Sequence, residues 1–440
     1  MSEEIRVRFA PSPTGKVHIG NIRAAIYNWL YARHTGGKFL LRVEDTDLER
    51  STPEAIKALF ECMEWLGLGL GDEPVFYQTK NVKRHLEVVE RLLASGDAYK
   101  VEKTSRDGKT GVVTMFRMPK EGVIEFDDVV KGHMAKKAED VQDFAIVRSD
   151  GSPIFHLANV VDDIDQRVTH IIRGDDHVEN TFKHICLFRA LGAPVPKYGH
   201  LSMIVNAQGK PYSKRDGAAF VGEFRDSGYL PEALFNYLLL LGWNPGDDRE
   251  VLTREEMVSL FDLEKVHVTA AKFDIKKLQW MNGEYIKRMP KETFKAEVKR
   301  RCEGAADRPE PWLDYLCDQL QVRTKFLNDI PDACRCFLSD DYAFDPKAVE
   351  KRLAKDGVKA LLLDLIARFD RIAEGEWLAP KLEEVVKELS QGNGMGPWVH
   401  PVRVAVSGRG EGIGLFEMLQ LLGKERTLAR LRSAAETYAK

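Results

Sequence analysis

Residues 8–21 constrain the fold more than any other part of this chain. Residues 5–9 overlap the beginning of this stretch. Their apolar side chains alternate with arginines, which predicts a strand. Prolines and glycines then predict a loop, and a helix should follow with Asn21 as its N-cap residue. This order gathers unpaired backbone N–H groups and the positive end of a helix dipole at one place. The stretch therefore predicts a phosphate site beside His18, whose ring adds a proton donor.

The same residues also carry a recognisable motif. Residues 18–21 read His-Ile-Gly-Asn, and residues 8–15 before them read Arg-Phe-Ala-Pro-Ser-Pro-Thr-Gly. The four-residue piece resembles the "HIGH" signature of class I aminoacyl-tRNA synthetases, and the longer run is similar to its form in glutamyl-tRNA synthetases. A turn between strand and helix with one histidine can also be an ordinary loop, so the assignment depends on the further motifs.

Length and composition exclude several classes of protein. A chain of 440 residues predicts two to four domains. Charged residues make up 30% of the chain and hydrophobic residues 44%, and no apolar run approaches about 20 residues. Because the chain also starts with acidic residues, we expect a cytoplasmic protein that does not enter a membrane. The formal net charge is only −3, so a nucleic-acid partner would be held by local basic patches.

The six cysteines are scattered through the chain, which predicts reduced thiols. Cys334 and Cys336 form the one close pair, and without a second pair nearby they favour buried thiols over a metal site. Some glutamyl-tRNA synthetases carry a cysteine zinc cluster in an inserted domain, but residues 99–117 here contain no cysteine. We therefore expect no zinc and no other metal held by protein side chains.

Three acidic residues follow a second apolar run. Residues 39–43 predict a buried strand, and Glu44, Asp45, Thr46 and Asp47 come directly after it. Ligands bind at the carboxyl ends of parallel strands, although such an acidic stretch can also be a solvated loop. Together with Arg42 these residues resemble the "R-[IV]-E-D-T-D" motif of glutamyl-tRNA synthetases. That resemblance implies that Glu44 accepts from the α-ammonium group of the substrate.

Two further strands are predicted where the sheet resumes. Residues 153–163 form an apolar run that ends in acids, and residues 168–173 form another before a helix over residues 178–191. Residues 173–177, Arg-Gly-Asp-Asp-His, resemble the family's "R-G-[ED]-D-H" motif. The resemblance implies that Arg8 holds the side-chain carboxylate of a dicarboxylic amino acid, while the group held by Arg173 stays open.

Two arginines match the two carboxylates of glutamate, because each guanidinium offers a planar pair of donors. Ser12 is expected to orient the substrate by hydrogen bonding. The chain has Phe155 where the family often has a tyrosine, so Asn159 or a water would replace the missing hydroxyl donor. The residues implied for glutamate binding are Arg8, Ala10, Ser12, Glu44, Phe155, Asn159 and Arg173.

A second signature lies in residues 209–217. Ser213, Lys214 and Arg215 resemble the "SKR" form of the mobile "KMSKS" loop, with Pro211 where the first lysine usually stands. We assign Lys214 and not Lys210, although a lysine in a glycine-bounded loop is often merely solvated. The residues implied for ATP binding are His18, Gly20, Asn21, Ser213, Lys214 and Arg215.

The reaction assigns His18 and Lys214 as the catalytic residues. Attack of a carboxylate on the α-phosphorus of ATP, which enters with Mg²⁺, builds negative charge on the phosphoryl oxygens and on the departing pyrophosphate. A lysine and a histidine donor on opposite sides can stabilise that charge without forming a covalent bond.

The motifs divide the chain into five predicted segments. The basic residues of the insertion, around Lys131, Lys136 and Lys137, could be solubility charges instead of RNA contacts, and a turn is predicted at residues 106–109. The segments are the first half of a Rossmann-like catalytic domain (1–97), an insertion that binds the tRNA acceptor end (98–152), the second catalytic half (153–220), a helical stem-contact region (221–308) and a helical anticodon-binding domain (309–440).

The sequence thus predicts an α/β fold: a Rossmann-like parallel sheet with an α+β insertion, followed by an all-helical C-terminal domain. By resemblance the chain is a monomeric enzyme that joins L-glutamate to tRNA(Glu) through a glutamyl-adenylate, with the first step waiting for tRNA as in many relatives. An enzyme that also charges tRNA(Gln) is the alternative. Residues 310–440 argue against the shortened paralogue that glutamylates a modified tRNA base. The joint presence of His18, Glu44, Arg173 and Lys214 argues against a silent RNA-binding protein.

Overall fold

The computed structural model describes residues 4–13, 15–47, 51–104, 108, 110–392 and 394–440. The chain divides into two units, residues 1–281 and residues 282–440. No described helix is both long enough and apolar enough to cross a membrane. The turn predicted at residues 106–109 lies, apart from Gly108, outside the described residues.

The first unit is built on a sheet of seven strands in the order β3-β2-β1-β9-β10-β6-β7. All its pairs are parallel except β6 with β7. The described strands of the chain are β1 (Arg6–Phe9), β2 (Lys38–Val43), β3 (Phe76–Tyr77), β4 (Ala98–Thr104), β5 (Thr110–Phe116), β6 (Val123–Asp128), β7 (Gly132–Lys137), β8 (Phe144–Val147), β9 (His170–Gly174), β10 (Lys197–Leu201), β11 (Ile204–Val205) and β12 (Ala271–Lys272).

Helices connect these strands and cover the sheet. Helix α2 (Pro53–Trp65) begins after Thr52, because the Thr52 hydroxyl accepts from the Ala55 N–H and Pro53 occupies the first turn. The described helices up to residue 288 are α1 (Ile19–Thr35), α2 (Pro53–Trp65), α3 (Val82–Ser95), α4 (Phe155–Asp165), α5 (Val178–Ala190), α6 (Val221–Asp226), α7 (Pro231–Leu240), α8 (Arg254–Leu260) and α9 (Ile275–Arg288).

The strand predicted for residues 153–163 is wrong, because residues 155–163 lie in helix α4. A short apolar run is compatible with a buried strand or a buried helix, and periodicity alone does not separate them. Here residues 157–163 are all buried, so the helix is enclosed nearly all round and shows no clear polar face. The strand predicted for residues 168–173, by contrast, is present as β9 (His170–Gly174), which pairs in parallel with β10 (Lys197–Leu201).

The predicted insertion contributes to two sheets. Strands β4, β5 and β8 form an antiparallel sheet of their own. Strands β6 and β7 form a hairpin that extends the main sheet, where Asp128 of β6 pairs with Tyr198 of β10. In the described residues of this stretch the only helical element is a 3₁₀ turn at Ala138–Asp140.

The second unit is helical throughout its described residues, which confirms the predicted class. Helix α14 (Val358–Phe369) buries an apolar stripe of Leu362, Leu365, Ile366 and Phe369. All six cysteines are free, in agreement with the predicted reduced thiols, and all six are buried, including the pair Cys334 and Cys336 for which burial was predicted. The remaining helices are α10 (Lys291–Arg301), α11 (Glu310–Gln321), α12 (Ile330–Leu338), α13 (Pro346–Arg352), α14 (Val358–Phe369), α15 (Ala379–Ser390), α16 (Gly396–Ser407), α17 (Leu415–Leu422) and α18 (Lys424–Thr437).

Candidate active site

A cleft of about 540 Å³ opens beyond the carboxyl ends of β1, β2, β9 and β10, beside the start of α1. Parallel sheets bind ligands at this edge. Ten of the thirteen predicted site residues line the cleft, and they come from four separate parts of the chain: Arg8, Ala10, Ser12, His18, Gly20, Asn21, Glu44, Phe155, Asn159 and Arg173.

His18 begins helix α1. Its Nδ1 accepts a hydrogen bond of 3.1 Å from the Gly20 N–H, so His18 is the N-cap residue and the prediction of Asn21 as the cap is wrong. The helix starts three residues earlier than the pattern of apolar residues indicated, which puts Asn21 inside its first turn. Burial lowers the pKa of His18, against a smaller opposing effect of a backbone hydrogen bond with Tyr212. The ring is therefore neutral at pH 7 and carries its proton on Nε2.

Glu44 is fixed through one of its two oxygens. Its Oε1 accepts from Asn159 Nδ2 at 2.8 Å and from Arg42 Nη2 and Nε at 3.2 and 3.3 Å. No described residue bonds to Oε2, which is left for a ligand in the cleft. Burial raises the pKa of Glu44, while the charges of Arg42 and Arg8 and the Asn159 bond oppose this effect.

Arg8 and Arg42 share a buried carboxylate. Asp163 Oδ1 accepts from Arg8 Nε at 3.0 Å and from Arg42 Nη1 at 2.6 Å. Although burial works in the opposite direction, the two guanidinium groups lower the pKa of Asp163. The bond uses only Nε of Arg8, and its terminal nitrogens have no partner among the described residues, so they can donate into the cleft.

Arg173 is a buried cation held only by neutral acceptors. Its Nη2 donates to Thr181 Oγ1 at 2.6 Å and to the His177 carbonyl at 3.3 Å, and its Nε donates to His200 Nε2 at 3.3 Å. It forms no ion pair with any residue that the structure describes. Burial lowers its pKa to about 10, so it remains charged at pH 7. An unneutralised buried cation favours an anionic ligand.

Phe155 presents an apolar surface to the cleft. Its ring packs against those of His156, His177 and His184, with centroid distances of 5.5, 5.8 and 5.7 Å. Asn159 lies one turn further along α4, on the same face, and one of its two amide N–H groups is bonded to Glu44. The predicted replacement of a tyrosine hydroxyl by Asn159 stays a prediction.

The three residues of the second signature do not line the cleft, whereas Pro211 and Tyr212 beside them do. The Lys214 ammonium lies 5.4 Å from the centre of the Phe220 ring, and Lys16 approaches the same ring at 5.7 Å. The His18 ring meets it edge-on at 5.8 Å. The loop lysine thus lies close to His18 but outside the cleft. Ser213 donates to the Asp216 carboxylate at 3.0 Å, and Arg215 is exposed.

Sequence reasoning missed two residues that support the site, Arg42 and Asp163. Arg42 carried a usable signal, because it lies two residues before Glu44 and alternate residues of a strand share a face. The role of Asp163 could be inferred only once α4 was known to be a helix, because residues 155, 159 and 163 are spaced four apart and share one helix face.

Comparisons with known proteins agree with this arrangement. Residues 4–111 and 100–280 match the family described as tRNA synthetases class I (E and Q), catalytic domain, and residues 277–435 match an anticodon binding domain. A glutamate–tRNA ligase of Francisella philomiragia is 39% identical over 98% of this chain and 98% of its own length. One from Francisella tularensis subsp. novicida is also 39% identical, over 99% of this chain and all of its own.

Two solved structures have the same fold. A glutamate tRNA ligase from Elizabethkingia meningosepticum, in complex with its amino acid, superposes with a TM-score of 0.87 at 28% identity and covers 99% of this chain and 100% of its own. The glutamate-tRNA synthetase of Elizabethkingia anophelis superposes with a TM-score of 0.84 at the same identity and coverage.

Proposed function

The chain belongs to the class I tRNA synthetases for glutamate and glutamine, and on this basis we propose that it ligates L-glutamate to tRNA(Glu) at the expense of ATP. The observation that carries the proposal is the charge arrangement of the cleft. Two buried arginines, Arg8 and Arg173, and one buried carboxylate, Glu44, line it together. Glutamate carries two carboxylates and one ammonium group, which is the complementary set.

Two of the three charged groups of glutamate have an assigned partner in this proposal. Arg8 binds the side-chain carboxylate with its terminal nitrogens, while Asp163 keeps its Nε fixed at 3.0 Å. Glu44 accepts from the α-ammonium group with Oε2, and Ser12 and the backbone at Ala10 complete the orientation. Glutamine, with a neutral amide, would leave a buried arginine without its anion, which costs about 1–3 kcal/mol.

ATP binds with its phosphates at the start of α1, near Gly20 and Asn21. A glutamate carboxylate oxygen attacks the α-phosphorus and pyrophosphate leaves, giving glutamyl-adenylate. His18 donates from Nε2 to a phosphoryl oxygen, and the Lys214 ammonium stabilises the charge on the departing pyrophosphate. To do so, the loop with Ser213 and Arg215 moves Lys214 away from the Phe220 ring. Mg²⁺ enters with ATP as the counter-ion of its phosphates.

In the second step a terminal ribose hydroxyl of the tRNA attacks the carbonyl carbon of the adenylate. A C–O ester bond forms between the ribose oxygen and the carbonyl carbon, and the bond from this carbon to AMP breaks. The helical region matched as an anticodon binding domain, residues 277–435, holds the far end of the same tRNA. The acceptor-end role of residues 98–152, the monomeric state and the cytoplasmic location belong to the proposal as well.

Lys214→Ala tests the proposal, with Lys210→Ala as the matched control from the same exposed loop. We expect wild type and the control to charge purified tRNA(Glu) with glutamate. Lys214→Ala should still bind tRNA but lose roughly 100-fold or more in tRNA-dependent ATP–pyrophosphate exchange, because one transition-state cation is gone. Near-normal exchange in Lys214→Ala would contradict the role of this lysine. Failure of the wild-type protein to charge tRNA(Glu) would contradict the function itself.

A further inference from the structure

The acceptors that hold Arg173 continue into a buried chain of hydrogen bonds. Arg173 Nε donates to His200 Nε2 at 3.3 Å, and His200 Nδ1 lies 2.5 Å from Asp128 Oδ2. Arginine can only donate hydrogen bonds, so His200 Nε2 must be the unprotonated nitrogen. The imidazole proton is then on Nδ1, where it is donated to Asp128. Thr181 Oγ1, which accepts from Arg173 Nη2, lies 3.0 Å from the same Nε2.

Asp128 is itself held rigidly at the end of β6. Its Oδ1 accepts from the backbone N–H groups of Val130 and Lys131 at 2.9 and 2.8 Å, and the His200 N–H lies 3.2 Å from each oxygen. These bonds orient the carboxylate so that Oδ2 faces the His200 ring. A buried carboxylate, an imidazole and a guanidinium are therefore aligned, and the guanidinium end lines the cleft.

The imidazole between the two charges has a physical consequence. A carboxylate in direct contact with Arg173 would neutralise the guanidinium and compete with a substrate anion. A neutral imidazole satisfies the Nε–H without adding a negative charge at the guanidinium, so Arg173 is fixed in direction and keeps its attraction for an anion. Arg8 is held differently, since Asp163 contacts it directly.

We propose that Asp128 and His200 are positioning residues for glutamate. Asp128 holds His200 in the tautomer whose Nε2 carries no proton, and that Nε2 accepts from Arg173 and fixes its direction. This inference rests on the proposed function for the identity of the substrate. It also gives the β6–β7 hairpin, which the sequence assigned to the tRNA acceptor end, a second role in supporting the amino-acid site.

Two substitutions of His200 separate its two hydrogen bonds. In His200→Gln the side-chain oxygen can replace Nε2 and still accept from Arg173. In His200→Asn the shorter amide can replace Nδ1 and still donate to Asp128, but it does not reach Arg173. We expect the KM for glutamate to stay close to wild type in His200→Gln and to rise roughly tenfold in His200→Asn, with the KM for ATP unchanged in both.

A third variant tests the tautomer. In Asp128→Asn the new amide N–H can donate to His200 Nδ1, which moves the ring proton to Nε2 and removes the acceptor of Arg173. The KM for glutamate should rise as in His200→Asn, again without a change in the KM for ATP. Equal KM values for glutamate in the two His200 variants, or parallel increases for ATP and glutamate, would overturn the inference. Absence of glutamate charging by the wild-type protein would instead overturn the proposed function.

Discussion

His18 serves helix α1 and the proposed chemistry with different ring nitrogens. Nδ1 accepts from the Gly20 N–H and satisfies one of the free donors at the helix start. Nε2 carries the proton that is proposed to reach a phosphoryl oxygen. A loss of activity on replacing His18 would therefore mix two effects, a destabilised helix and a missing donor.

His18→Asn and His18→Ala separate these effects. Asparagine is a good N-cap residue, so His18→Asn should unfold in urea at close to the wild-type midpoint, whereas His18→Ala should lose about 1 kcal/mol of unfolding free energy. Both variants should lose ATP–pyrophosphate exchange in the presence of tRNA, since neither keeps the imidazole donor. Exchange retained in His18→Asn would mean that His18 acts only as a cap.

At the level of single residues, the sequence predicted which residues line the cleft better than it predicted the hydrogen bonds between them. Arg8, Glu44 and Arg173 were found because they stand in motifs at strand ends. The cap was misassigned because the apolar pattern marks the buried face of α1 and not its first residue. Arg42 and Asp128 were missed because their partners are more than 70 residues away in sequence, at Asp163 and His200.

Helix α4 is the element that connects the proposed glutamate pocket to the sheet. On one face of this helix, Asn159 donates to Glu44 at the end of β2, and Asp163 accepts from Arg8 on β1. A strand over the same residues would spread positions 155–163 over about twice the length of the helix, because a strand rises about 3.3 Å per residue and a helix 1.5 Å. The misassigned element was thus the one whose compactness brings these side chains together.

Asp163→Asn tests this connection through stability. Removing one partner of a buried ion pair leaves two arginines less compensated, which should cost about 3–5 kcal/mol of unfolding free energy at pH 7. The folded-state pKa of Asp163 is lowered, so its contribution is present above the unfolded pKa of about 3.9 and is lost as pH falls through the folded value. The difference between wild type and variant should therefore shrink below about pH 4.

Urea titrations at several pH values measure this difference, with Asp247→Asn as the control. Asp247 is exposed and pairs with Arg249 on the surface, where solvent screens the interaction, so its removal should cause no comparable loss. A gap between wild type and Asp163→Asn that stays constant from pH 7 to pH 3 would show that the carboxylate charge is not what stabilises the cluster.

For the molecule as a whole, exposed cationic side chains are expected to bind tRNA and buried ones are expected to bind glutamate. The net charge is −3, so no overall positive field attracts RNA, and tRNA must be held by exposed lysines and arginines in local patches. The proposed partners of the amino acid, Arg8 and Arg173, are instead only 4% and 7% exposed. The sequence could predict the first property from composition, but the burial of the second pair depends on β1 and β9 lying side by side.

This difference predicts that the two KM values respond differently to salt. Mobile ions screen exposed charges over about 10 Å at 0.1 M ionic strength but reach buried groups poorly. Raising KCl from 50 to 200 mM should therefore raise the KM for tRNA by roughly tenfold or more, because bound counter-ions are no longer released so favourably from the RNA. The KM for glutamate, measured at saturating tRNA in the same charging assay, should change little. Equal sensitivity of both KM values would mean that the arginines of the cleft are open to solvent ions, and a KM for tRNA that does not respond to salt would mean that surface cations do not hold it.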